Sequence, residues 1–169
     1  LYPLPGSATF WVEETTSTMD EARRLSASSD FGLVMAGRQL AGRGRLEGRT
    51  WMSEVGQSLL ATFWFPRTAF GSAPLPMVAG LAVARAVTAW AEEAGAALAS
   101  TCTDGGRGGL RLKWPNDVLL DGRKLAGILC EGSAQTIFAG IGVNCLQASF
   151  QGAYRPPPTS LLLSTGIAT

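Results

Sequence analysis

Residues 110–131 read LRLKWPNDVLLDGRKLAGILCE, three apolar runs with Lys113, Trp114, Pro115, Asn116, Asp117 and Lys124 at their seams. A sheet hairpin requires none of these types at its joints. A lysine at a strand end is usually solvated or guards an edge. Two such lysines, beside an amide and a carboxylate at a proline-broken corner, suggest a place where anions are handled. Asp117 could hold a lysine or a magnesium ion. Lys124 could reach an acyl carboxylate or an α-phosphate.

A second set lies upstream. Gly42, Arg43, Gly44 and Arg45 alternate a permissive backbone with a planar cation. Glycine lets a ligand approach the backbone and exposes amide N–H groups. Arginine presents a fork that matches carboxylate or phosphate. The pair suits an anionic ligand over which the loop closes, and equally a solvated basic loop. A third position is Asn144, which follows Gly140 and Gly142. Glycines there would let a flat group lie on the backbone, and the amide could read a base edge or simply form a turn.

Composition narrows the chemistry. The chain has 169 residues, 46% hydrophobic and 16% charged, enough for one domain with a real core. The net charge is +1 with no block of like charges, so binding to nucleic acid is not expected. No apolar run reaches membrane-spanning length and no signal peptide opens the sequence, so no membrane partner is expected. There is no histidine, which removes Ser-His-Asp and Cys-His triads and histidine zinc sites. Cys102, Cys130 and Cys145 are widely spaced, without a CxxC pair, and read as reduced thiols of a cytoplasmic protein. Any catalysis must rest on Lys, Arg, Asp and Asn, with a magnesium ion brought in on a nucleotide.

The framework for these residues is α+β. A strand is predicted over 9–14, then a helix over 19–28 with capping-box spacing at Thr18/Glu21 and Ser17/Asp20. Strands follow over 31–37 and 58–65, separated by the long arginine loop. Long loops in compact domains are often functional. Residues 77–99 form the one strong helix signal, with Met77, Leu81, Ala84, Val87 and Ala91 near one face and Trp90 as an anchor. Residues 101–109 are glycine-rich and lack the ending of a phosphate loop, so they read as a flexible connection. A meander closes the pattern, with a type I′ hairpin at Asp121-Gly122 and a turn over 132–135. Strands in runs, with helices between only some of them, make an α+β layer architecture.

The segments TTSTMDEA, QLAGRGRLEGRTW, LRLKWPNDVLLDGRKLAGIL and GIGVN, in that order, resemble the catalytic domain of the biotin protein ligases, the biotin–[acetyl-CoA-carboxylase] ligases. KWPND followed by RKLAGIL is the specific part; Gly-Arg-Gly-Arg alone is weak. The resemblance implies a mixed, mostly antiparallel sheet with helices packed on one face, as in lipoate ligases and class II tRNA synthetases. It implies ATP and biotin as substrates with Mg2+, formation of biotinyl-5′-AMP, and transfer to a lysine of a biotin carboxyl carrier domain. By position, it places Ser17, Thr18 and Gln39 at the biotin head. Gly42, Arg43 and Arg45 fall in the loop over biotin and adenylate. Trp51, Lys113, Asn116 and Asn144 join Arg45 at the nucleotide, with Asp117 also at the metal. Lys124 falls at the biotin carboxylate, and Lys124, Arg43 and Asp117 are the catalytic set. It further implies a single domain over 1–169, shortened at its C-terminus, with neither an N-terminal winged helix nor a C-terminal β-barrel. A homodimer is left open.

Elementary chemistry agrees with this assignment. Joining a carboxylate to an α-phosphate brings two anions together, so cations must neutralise both. A carboxylate is already ionised at neutral pH and needs no general base. Two competing readings stand. One is a ligase or transferase for lipoate or octanoate, for which Cys130, six residues past Lys124, would be the candidate nucleophile. The other is a non-catalytic ligand-binding or regulatory paralogue. Met19 after the Ser-Thr pair and Leu46-Glu47 in the arginine loop depart from the family pattern.

Overall fold

A computed structural model of the chain describes residues 7–45, 48, 50–51, 53–69, 71–96, 98 and 109–168. Leu46, Glu47, Cys102 and most of the glycine-rich connection lie outside them. The predicted strand and helix at the start are β1 (Ser7–Thr15) and α1 (Thr18–Leu25), followed by β2 (Phe31–Gln39). The arginine loop holds a two-residue ribbon, β3 (Gly42–Arg43) with β4 (Thr50–Trp51). Next come β5 (Ser58–Pro66) and α2 (Leu75–Glu93). The meander is β6 (Leu110–Lys113), β7 (Asp117–Leu120), β8 (Arg123–Gly132) and β9 (Thr136–Asn144), and α3 (Leu161–Thr165) follows.

The seven long strands form one sheet in the order β1-β2-β5-β9-β8-β7-β6. Only β1 and β2 run parallel, as a strand–helix–strand connection through α1 requires. The expected mixed, mostly antiparallel sheet is therefore present. The helices divide between its faces rather than sharing one. Phe138 packs with Met19 and Ala22 of α1, and Val143 packs with Val83 and Val87 of α2. Both lie on β9, five residues apart, and an odd separation on a strand means opposite faces. The residues of α2 that turn inward are Gly80, Val83, Val87 and Ala91. Leu81, predicted to face the core, is 46% exposed. The reason is Gly80, where a Cβ would sit 3.1 Å from Leu112 and 3.8 Å from Ile128. A helix on a crowded sheet presents its smallest side chain at the point of closest approach. Asp121 and Gly122 both have positive φ (51° and 76°), the signature of the predicted type I′ turn.

One irregularity governs the site. Val118 pairs with Ala126, but Leu119 pairs with Lys124, so Leu125 is an extra residue in β8. On a regular strand Lys124 and Gly127 would point to opposite faces. The bulge buries both Leu125 and Ala126 in the α2 core and leaves Lys124 on the same face as Gly127 and Asp117.

Candidate active site

The face opposite α2 carries a cleft of about 390 Å3, within the usual range of small-molecule sites. One end is built by α1 and β2. Ser17 is the N-cap of α1, its Oγ accepting from Met19 N at 3.2 Å. Gln39 Oε1 accepts two bonds from Thr18, from its N–H at 2.7 Å and its hydroxyl at 2.9 Å. Thr62, fully buried on β5, donates to Thr18 Oγ1 at 2.9 Å. These bonds orient the network. Gln39 has spent its carbonyl, and its amide N–H groups remain as donors, as does the Ser17 hydroxyl. This end of the cleft is biased toward binding an acceptor.

The other end is cationic. Lys124 Nζ lies 2.7 Å from Asp117 Oδ1, and Lys113 Nζ lies 3.7 Å from Oδ2. The Lys124 contact is an ion pair at an angle that makes no hydrogen bond, so the buried Oδ1 has no hydrogen-bond donor among the described residues. Asn116, at the proline corner, donates from its side-chain amide to Ile128 O at 2.9 Å and accepts at its backbone carbonyl from Ile128 N at 2.8 Å, which pins the corner to β8. The Lys124 backbone is clamped as well. Its N–H donates to Pro157 O at 2.8 Å, and Thr159 N donates to its carbonyl at 2.9 Å. Arg43, Arg45, Lys113, Lys124 and Arg155 line the cleft, against Asp117 as the one lining carboxylate among the described residues.

Trp51 joins the two ends. Its indole lies flat on β9 and β8: a Cβ on Gly142 would sit 2.5 Å from it, and one on Gly127 would sit 3.0 Å away. The flat group that these glycines admit is therefore the protein's own tryptophan. Lys124 Nζ sits 5.7 Å from the indole centroid, a cation–π distance. Trp51 Nε1 is buried and finds no hydrogen-bond partner among the described residues. Gly42 is required beside it, since a Cβ there would come within 2.6 Å of Trp51 O.

All of the predicted site residues line this one cleft: Ser17, Thr18, Gln39, Arg43, Arg45, Trp51, Lys113, Asn116, Asp117, Lys124 and Asn144, with Gly42 at its edge. Asn144 sits there differently from a base reader. It is 4% exposed, donates to Thr159 O at 2.9 Å and accepts from Gln147 Nε2 at 3.3 Å. Its amide is committed to holding the 157–159 segment that clamps Lys124. Sequence reasoning missed Thr62, which looks like any strand threonine. It also missed Phe150, Tyr154, Arg155, Pro156 and Pro158, which line the cleft from the far side. A Tyr-Arg pair ahead of three prolines was the available signal.

Residues 10–147 match the model of the biotin/lipoate A/B protein ligase family. The chain belongs to that family. Among characterised members of the family, the biotin–[acetyl-CoA-carboxylase] ligase of Paracoccus denitrificans is 39% identical over 167 residues, covering 93% of this chain and 64% of that one. The biotin protein ligase of Aquifex aeolicus, solved with biotin and ATP, superposes with a TM-score of 0.77 at 30% identity, over 96% of this chain and 62% of that one. The Leishmania major biotin protein ligase, solved with biotinyl-5-AMP, gives 0.72 at 32% identity, over 94% and 64%. The chain thus spans a little under two thirds of the length of these family members.

Proposed function

We propose that the protein activates biotin with ATP and passes the biotinyl group to a lysine of a biotin carboxyl carrier domain. The observation that carries this is one continuous cleft with a hydrogen-bond-donating end and a cationic end. The ureido carbonyl of biotin is an acceptor suited to the first end, and its carboxylate suits the second. In the first step a carboxylate oxygen forms a bond to the α-phosphorus of ATP and pyrophosphate leaves. Lys124 sits beside the meeting anions, and Arg43 and Arg45 offset the charge of the transferring phosphoryl group. In the second step the acceptor amine attacks the acyl carbon, AMP leaves with the bonding pair, and the amine gives up a proton. Asp117 is the carboxylate available to take it.

Magnesium fits the donor set in a limited way. No cluster of three or more metal-binding side chains exists among the described residues. Magnesium commonly binds through one or two carboxylates and the phosphates themselves. Asp117, the one carboxylate lining the cleft among the described residues and already paired with Lys124 at 2.7 Å, is the residue that would hold it. When bound, the ion would neutralise phosphate charge.

The transferase reading for lipoate or octanoate meets a specific obstacle. Cys130 packs into the α2 core, on the face away from the cleft, and burial pushes its thiol up to about 11. A protonated thiol on the wrong face is no nucleophile. No helix among the described residues is long and apolar enough to cross a membrane, and a cytoplasmic location is part of the proposal. Pairing of two copies is compatible with the fold, since β1 and β6 each end the sheet among the described residues.

ATP–pyrophosphate exchange, with biotin, lipoate or octanoate supplied in turn, tests the reading. Exchange with biotin alone is expected. Exchange with lipoate alone would overturn it, and biotin binding without exchange would mark a non-catalytic paralogue.

A further inference from the structure

Asp20 is the third residue of α1, where an acidic side chain ordinarily folds back to close a capping box on the N-cap. Here its carboxylate turns instead to Arg43, accepting from Nη2 at 2.7 Å and from Nη1 at 3.1 Å. Arg43 has little else to fix it. Its neighbours are Gly42 and Gly44, and β3 is two residues long. The anchor, by contrast, is rigid: Met19 and Ala22, on either side of Asp20, are buried in the core. A guanidinium carries five N–H donors. Asp20 takes one hydrogen on each terminal nitrogen, which leaves the Nε edge directed elsewhere.

We propose that Asp20 is a positioning residue, holding Arg43 at the cleft so that the other edge of its guanidinium meets the carboxylate or phosphate of the ligand. The inference rests on the adenylate-forming reading of the cleft. Two further features support it. The Arg43 hydrogen bonds hold the Asp20 carboxyl below its usual range, so the pair stays charged at neutral pH. The carboxylate also stands in the first turn of a helix, where the dipole favours an anion. Preorganising a cation on a rigid element removes a cost that a free glycine-flanked arginine would incur at binding.

The test is a double-mutant cycle in biotin-dependent exchange. Asp20→Asn should raise the KM for biotin about three- to fivefold, the scale of a half-exposed ion pair, with a smaller change in kcat. Asp20→Glu should restore most of it. In an Arg43→Ala background Asp20→Asn should cause no further rise. An equal rise in that background, or no rise in either, overturns the proposal. A second arm needs no ligand: trypsin should cut after Arg43 and Arg45 faster in Asp20→Asn than in the unsubstituted protein, and equal rates count against the anchor. If the unsubstituted protein shows no exchange with biotin, the functional reading has failed, and the tryptic rates alone decide whether Asp20 holds the loop.

Discussion

Lys124 is the side chain on which most of the cleft's geometry converges. Its ammonium faces Asp117 and lies 5.7 Å from the Trp51 ring centroid, and its backbone is clamped by the 157–159 segment. Lys124→Ala should lower the exchange rate about 10²–10³-fold, the usual cost of one preorganised donor. An activity within about threefold of the parent protein would remove it from the assigned role. The substitution should also leave Asp117 buried with only Lys113 nearby, so part of the loss will appear as weaker nucleotide binding. Residue type made Lys124 and Asp117 legible in the sequence, because charged side chains at strand seams are conspicuous. The role of Asn144 was less legible, for the opposite reason. An amide can serve a ligand or the protein itself, and in the fold the Asn144 amide is engaged with the Thr159 carbonyl and the Gln147 side chain.

The bulge in β8 does what no single side chain can. It turns Lys124 toward the cleft while keeping Leu125 in the α2 core. One variant tests this separation. Leu125→Ala keeps the extra residue and loses burial, at about 2–5 kcal/mol of stability; the folded protein, assayed well below its Tm, should keep its exchange activity. A loss of exchange in the folded Leu125→Ala protein would mean that the buried Leu125 side chain, and not the extra backbone residue, places the lysine. The strands themselves, the type I′ turn and the long helix were readable from periodicity and turn chemistry. The bulge was not, because KLAGIL reads equally well as an unbroken buried strand. The allocation of α1 and α2 to opposite faces was also hidden, since it depends on which parity of β9 each helix meets.

Across the described residues the sheet separates the face that carries α1 and the cationic cleft from the dry face packed by α2. Cys130 and Cys145 both belong to the dry side, packed against the α2 cluster, and desolvation raises both thiols. This burial couples stability to alkaline pH with a definite sign. The folded protein holds the Cys130 proton up to about 11, while the unfolded chain releases it near 9.0. Below the lower value both states are protonated and the full stability is present. Between the two values the unfolded state loses its proton first, so stability falls as pH rises through that window. Cys145 adds a contribution of the same sign. Urea unfolding between pH 8 and pH 11 should therefore show a falling midpoint. Cys130→Ala should lower the midpoint at pH 8 through lost packing, yet flatten its fall above pH 9. An unchanged slope in that variant would show that the thiol is not the titrating group. The same burial predicts slow alkylation of Cys130 by iodoacetamide in the folded state at pH 8, with fast reaction once urea opens the α2 face. A thiol that reacts readily without urea would place Cys130 at the surface and revive the transferase reading that its burial opposes.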